Sequence, residues 1–268
     1  MALQDGTLLT SKKTIEPEAV AVLRRAASLG VQVILATGRM TPAVTPYVGQ
    51  LGIADLALVT YNGAVALDRD GRVVFHRPVP REVTRKVLQF CIDTDRCANV
   101  YLDDQLFSSD RPQHREHLTA YAALAGILAT GVPSYEPYLD TEPSKIIVFC
   151  QRDHASVSAL YDTLAELLKG HETHLVRMDF FVEVLVGGVH KGNGLMGLLD
   201  HLRIEHDTAV ALGDGENDVE FLQMFGHGIA VANAQPLAKQ AAPYTSSLTN
   251  DQGVIAVELG RLLDAFYP

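Results

Sequence analysis

The sequence predicts an α/β fold: a doubly wound parallel-sheet core interrupted by an inserted α+β domain. Three observations predict it. Short apolar runs alternate with helical periodicities through the first third of the 268 residues, the alternation breaks near Pro78-Val79-Pro80, and it resumes after Gly187-Gly188. Strands alternating with helices imply a parallel sheet covered by helices. The boundaries read as a core of residues 1–80 and 187–268 around an insert of residues 81–186. An insert of about a hundred residues falls within the usual range for a domain.

Each element follows from local pattern. Pro17 fits the first turn of a helix, Ala19, Val22, Leu23, Ala26 and Leu29 recur at helical spacing, and Gly30 supplies a stop. Val31–Ala36 is a short, nearly continuous apolar strand, after which Thr41 and Pro42 read as the cap and first position of a second helix. Leu56–Tyr61 is another buried-type strand, ending at Asn62-Gly63. Ala64–Leu67 and Val73–Phe75 form a hairpin around Asp70-Gly71. In the insert, strands are expected over Asn99–Leu102, Lys145–Cys150 and Phe180–Val186, and helices over 82–92, 113–128 and 155–168. Past residue 187 a helix follows Lys191, an apolar strand covers Thr208–Leu212, and short βα units run to Leu263.

A hydrophobic content of 47% is enough to build a full core. The net charge of −10 makes neither a nucleic-acid backbone nor an acidic membrane surface a natural partner. No apolar run approaches the roughly 20 residues that span a bilayer. Any phosphate site must therefore draw on local cations, for which Lys191, Arg39 and a bound metal are the candidates. Cys91, Cys97 and Cys150 lack ligand-like spacing and read as reduced thiols. No basic segment followed by an apolar core opens the chain, so the expected location is the cytoplasm.

The chemistry concentrates where predicted strands end, the edge at which parallel α/β sheets bind ligands. Thr37, Asn62 and Asp214 each follow an apolar strand, and Asp5 follows a strand stub. Asp5 and Asp214 offer the hard oxygens that Mg²⁺ accepts, with waters completing an octahedron. Taken alone, Asp214 also reads as a solvated loop acid or helix cap, Glu216, Asn217 and Asp218 as ordinary N-terminal helix residues, and Asp5-Gly6-Thr7 as a turn. The pairing of the two acidic loops favours the metal reading. The Thr37 hydroxyl and nearby backbone N–H groups could hold a phosphate, or Thr37 could act as a local cap. Lys191 opens a helix, where the macrodipole disfavours a cation, so it makes sense facing an anion; an exposed, snorkelling side chain is the alternative. Dinucleotide and P-loop fingerprints are missing, as is a serine nucleophile elbow.

Six ordered segments carry a resemblance: Asp5-Gly6-Thr7-Leu8-Leu9, Leu35-Ala36-Thr37-Gly38-Arg39, Tyr61-Asn62-Gly63-Ala64, Gly188-Val189-His190-Lys191-Gly192, Gly213-Asp214-Gly215-Glu216-Asn217-Asp218 and Ala230-Val231-Ala232-Asn233-Ala234. Over almost its whole length the chain resembles the haloacid dehalogenase-like phosphatases, and within them the Cof-like subgroup with an inserted α/β cap. The resemblance implies a Rossmann-like core and a Mg²⁺-dependent phosphatase acting on a small phosphorylated metabolite such as a sugar phosphate. It implies Asp5 as general acid/base with its carbonyl on the metal. Gly6, Thr37, Gly38, Arg39, Asn62 and Asn217 would line the phosphate and substrate. Lys191 would neutralise the phosphoryl oxygens, and Asp214 and Asp218 would serve the metal. In the family reaction an aspartate attacks phosphorus, and water later hydrolyses the phospho-aspartate.

One departure matters. The family opens Asp-x-Asp-Gly-Thr, whereas this chain reads Leu3-Gln4-Asp5-Gly6-Thr7, with leucine at the nucleophile's position. Removing the nucleophile of another hydrolase costs on the order of a millionfold in turnover. Three accounts stay open: residues 1–4 are not the natural ones, the protein is a non-catalytic phospho-ligand binder, or another carboxylate substitutes. The first is preferred, because shortening a central strand is structurally costly.

Overall fold

Apolar spacing, proline starts and glycine stops delimit the elements of the core. The computed structural model of the chain describes residues 6–267. It divides into two units, one made of the residues up to His76 together with those from His190 onward, the other of Arg77–Val189. Helix α1 (Pro17–Ser28) opens on proline, buries Ala19, Val22, Leu23 and Ala26, and is followed by Gly30 at φ +81°. Strand β1 (Ile34–Ala36), helix α2 (Thr41–Leu51) and strand β2 (Ala57–Thr60) follow, then the hairpin β3 (Val65–Leu67) and β4 (Val73–His76). The cap of α2 is Met40 rather than the expected Thr41, whose hydroxyl instead meets the Thr60 hydroxyl at 3.2 Å.

The inserted unit runs through α3 (Arg81–Asp93), β5 (Ala98–Leu102), β6 (Gln105–Ser109), α4 (Arg115–Ala125), β7 (Thr130–Val132), β8 (Lys145–Phe149), α5 (His154–Leu167), β9 (Thr173–Arg177) and β10 (Phe181–Val186). Its described strands lie in the order β7-β6-β5-β8-β10-β9, antiparallel except for the β6–β7 pair. Val100, Ile146, Val148, Val182 and Val184 meet Val87, Leu88, Leu160 and Leu164 of α3 and α5 in one core. Strand alternation puts Lys145 and Glu183 on the opposite face, where they form a buried ion pair at 3.0 Å. Burial alone would lower the lysine's pKa, but the neighbouring Glu183 carboxylate outweighs it and leaves the ammonium above its ordinary value. Strands β6, β7 and β9 have no counterpart in the sequence reading, because Gln, Thr, Ser and Gly dilute their apolar pattern. The helix expected over 113–128 is shorter: a 3-10 turn precedes it, and Gly126 at φ +71° ends it.

The chain then returns to the first unit with α6 (Lys191–Leu202), β11 (Val210–Gly213), α7 (Val219–Met224), β12 (His227–Ala230), α8 (Pro236–Ala241), β13 (Tyr244–Thr245) and α9 (Val254–Phe266). Among the described residues its strands form two sets, β1-β2-β3-β4 and β11-β12-β13, with β1–β2, β11–β12 and β12–β13 parallel and the β2–β3–β4 pairs antiparallel. One apolar cluster joins both sets, drawing on Leu23, Leu35, Val59, Leu198, Leu212 and Leu259. Strands β1 and β11 are short and largely buried on both faces, as a helix-covered parallel sheet requires. Among the described residues no helix is long and apolar enough to cross a membrane.

Candidate functional site

Parallel strands β1, β2 and β11 end in loops that carry Thr37, Asn62 and Asp214. Side-chain bonds between distant parts of the chain join these loops. The Thr7 hydroxyl donates to Asp214 Oδ1 at 2.6 Å. The Asn217 amide donates through Nδ2 to Asn62 Oδ1 at 2.9 Å. Asn233 Nδ2 donates to the Gly6 carbonyl at 2.8 Å, and Asn233 Oδ1 accepts from the Asn250 N–H. Gly6 itself lies against the Asp214 carboxylate: a Cβ at position 6 would stand 2.1 Å from Asp214 Oδ2. The opening acidic loop and the loop after β11 are thus in contact through Gly6 and Thr7. Asp5 and Leu3 lie outside the described residues.

Thr37 is buried, and its hydroxyl oxygen accepts from the Arg39 N–H at 3.1 Å. That role leaves the hydroxyl hydrogen to donate. Gly38 packs beneath the Asn62 amide, since a Cβ there would lie 2.7 Å from Asn62 Oδ1. The Arg39 backbone also accepts from the Tyr61 N–H at 2.9 Å, while its guanidinium lies 5.7 Å from the centre of the Tyr47 ring.

Lys191 is the first residue of α6 and is fully buried. The exposed, snorkelling alternative is excluded by that burial. Its ammonium meets Asp218 Oδ1 at 2.6 Å, with neither side chain exposed. Asp218 Oδ2 accepts from the Asp214 and Gly215 N–H groups at 2.8 and 2.9 Å. Asp218 therefore does what its sequence context also allowed: it satisfies orphan amides at the turn entering α7 while countering the lysine charge. Both of its oxygens carry hydrogen bonds, one to the lysine and one to the turn entering α7.

Close backbone approach places the lysine. Gly63 has φ +100°, and a Cβ on it would lie 2.1 Å from the His190 carbonyl oxygen. Gly194 makes the reciprocal approach, its Cβ position lying 2.7 Å from the Gly63 carbonyl. The start of α6 therefore rests on the turn after β2, delivering Lys191 beside Asp218. The sequence reading assigned no role to Asn233 or Thr7, although both belong to segments that carried the resemblance.

The two sheet sets and their helices make a Rossmann-like α/β core, with an α+β unit inserted in its sequence. The sequence profile of haloacid dehalogenase-like hydrolases matches residues 4–257, and the chain belongs to that family. It is similar to the HMP-PP phosphatase of Serratia proteamaculans, 29% identical over 246 residues that make up 89% of this chain and 85% of that protein. It is also similar to a chloroplastic endoribonuclease YBEY of Arabidopsis thaliana, 26% identical over 96% of this chain; the match spans only 45% of that protein's length. Among solved structures, a haloacid dehalogenase-like hydrolase from Bacteroides thetaiotaomicron superposes with a TM-score of 0.88 at 24% identity, covering 97% of this chain and 98% of that one.

Proposed function

We propose that this chain is a cytoplasmic, Mg²⁺-dependent phosphatase scaffold for a small phosphorylated metabolite of the sugar-phosphate kind. The observation that carries the reading is a set of hydrogen bonds across the sequence: Thr7 to Asp214, Lys191 to Asp218, Asn217 to Asn62, and the Asn62 N–H to the Thr37 carbonyl. Thr37 donates its hydroxyl to a phosphoryl oxygen, Asn217 an amide hydrogen, and Lys191 its charge. Gly6, Gly38 and the backbone of Arg39 let these groups approach closely. Asp5 moves the proton of the leaving oxygen, and residues 81–186 select the organic part of the substrate. Three free, buried thiols support the cytoplasmic assignment.

The donor chemistry fits a hard cation. Mg²⁺ is commonly held by one or two carboxylates with water completing the shell. Asp214 is a carboxylate at the loop edge, whereas Asp218 is committed to Lys191. No group of three His, Cys, Asp or Glu side chains with metal-binding spacing occurs among the described residues. We assign Asp214 and the Asp5 carbonyl as the protein ligands, with Asp218 bracing them. When bound, Mg²⁺ would neutralise phosphoryl charge.

Leu3 favours a second reading, a relative that binds phosphorylated ligands without turning them over. Steady-state assays on an aryl phosphate with and without Mg²⁺, for the chain and for Leu3→Asp, separate the two. The phosphatase reading expects the restored carboxylate to attack phosphorus, the aryloxide to leave with a proton from Asp5, water to hydrolyse the phospho-aspartate to inorganic phosphate, and the rate to rise by several orders of magnitude. A Leu3→Asp protein inert across a broad phosphate panel, yet stabilised by inorganic phosphate, would establish the binder instead.

A further inference from the structure

We infer that Asn62 acts on a phosphorylated ligand at second hand, as a positioning residue that sets the plane of the Asn217 amide. The inference rests on the phosphate-site reading above and assigns Asn62 a role other than direct contact. Three consecutive residues, Tyr61, Asn62 and Gly63, have φ of 53°, 55° and 100°. Asparagine tolerates the left-handed region and glycine is indifferent to it, but a buried aromatic residue is an outlier there. Such strain persists only where surrounding bonds over-determine it, and it concentrates at functional sites. Here the Tyr61 N–H donates to Arg39 and the Asn62 N–H to Thr37, so the phosphate-loop backbone itself holds the turn.

The consequence of the strained turn is the placement of one amide. The Asn62 side chain lies flat on Gly38, and its Oδ1 accepts from Asn217 Nδ2 at 2.9 Å. On its other side, Asn217 Oδ1 stands 2.5 Å from where a Cβ of Gly215 would be. The absence of a side chain at Gly215 admits the Oδ1 end of the Asn217 amide, and the bond to Asn62 orients its Nδ2 end. A primary amide carries two N–H bonds. One goes to Asn62, and the planarity of the amide aims the other. The chain Gly38–Asn62–Asn217–Gly215 thus couples the loop after β1 to the loop after β11 through the turn after β2, with a glycine at each end to admit the amides.

The test measures inorganic phosphate binding to the full chain in Mg²⁺ by calorimetry, beside the thermal midpoint, for Asn62→Gly, Asn217→Ala and the double variant. Glycine suits the left-handed backbone, so Asn62→Gly keeps or raises the midpoint while removing the acceptor. Phosphate affinity should fall about tenfold in each single variant, the scale of one lost oriented hydrogen bond, and no further in the double variant. Unchanged affinity in Asn62→Gly overturns the inference, as does an additive loss in the double variant. A parent chain that binds no phosphate refutes the site reading, and the inference falls with it. Parent binding combined with equal binding by Asn62→Gly refutes the inference alone.

Discussion

Replacing Asp218 tests the interior of the site most severely. Its carboxylate is fully buried, holds the Lys191 ammonium at 2.6 Å, and accepts two backbone N–H groups. Removing one partner of a buried ion pair costs about 3–5 kcal/mol, because the remaining charge stays desolvated and uncompensated. Each buried donor left without an acceptor adds about 1–3 kcal/mol. These losses overlap, so about 5 kcal/mol is expected for Asp218→Ala. That equals much of the roughly 5–15 kcal/mol by which a domain is stable. Asp218→Asn keeps an oxygen for the amides but faces the ammonium with no charge, so about 3 kcal/mol is expected. Adding Lys191→Met to Asp218→Asn removes the stranded charge and should return about 1–2 kcal/mol. Urea unfolding followed by far-ultraviolet circular dichroism supplies the numbers, the chain having no tryptophan. Hydrogen exchange across α6 assigns the transition to the core unit. A cost below about 1 kcal/mol for Asp218→Ala, or a double variant no more stable than Asp218→Asn, refutes the buried-pair argument.

Two further outcomes follow from packing and burial. Gly63→Ala puts a Cβ 2.1 Å from the His190 carbonyl at a left-handed φ, so we expect a loss of about 3 kcal/mol and a displaced α6 in a crystal structure of the variant. An unchanged unfolding midpoint would contradict this. Burial holds the Cys97 thiol up to about 11, with Cys91 and Cys150 also raised chiefly by burial. A folded pKa above the unfolded value means stability present at neutral pH and lost as pH rises from about 9 through about 11. All three thiols should resist a disulfide reagent at pH 8 until the chain is unfolded, and prompt labelling of the folded chain would refute their burial.

Much of the core was legible in local pattern. Helix α1, the strands ending before Thr37, Asn62 and Asp214, and the helix opening at Lys191 rest on apolar periodicity and on proline or glycine punctuation, which act over a few residues. Less of the inserted unit was legible. Strands β6, β7 and β9 are half-polar, and their neighbours in the sheet, not their own composition, hold them extended. Thr41 was misread as a cap because its sequence context fits one, whereas the Thr60 hydroxyl across the strand claims it.

By itself the sequence determined the fold class, the order of the loops and the residue types that would gather on them, because patterning and turn chemistry are local. Tertiary structure alone decided what those residues do to one another. Whether Asp218 faces a metal or a lysine depends on where α6 begins relative to β11, and Gly63 and Gly194 set that through a backbone approach of atoms far apart in sequence. Likewise Asn62 and Asn217 bond only because β2 and β11 end at the same edge of one core. The charge and hydrogen-bond partners of a buried side chain are properties of the packed interior, where desolvation makes every pairing count.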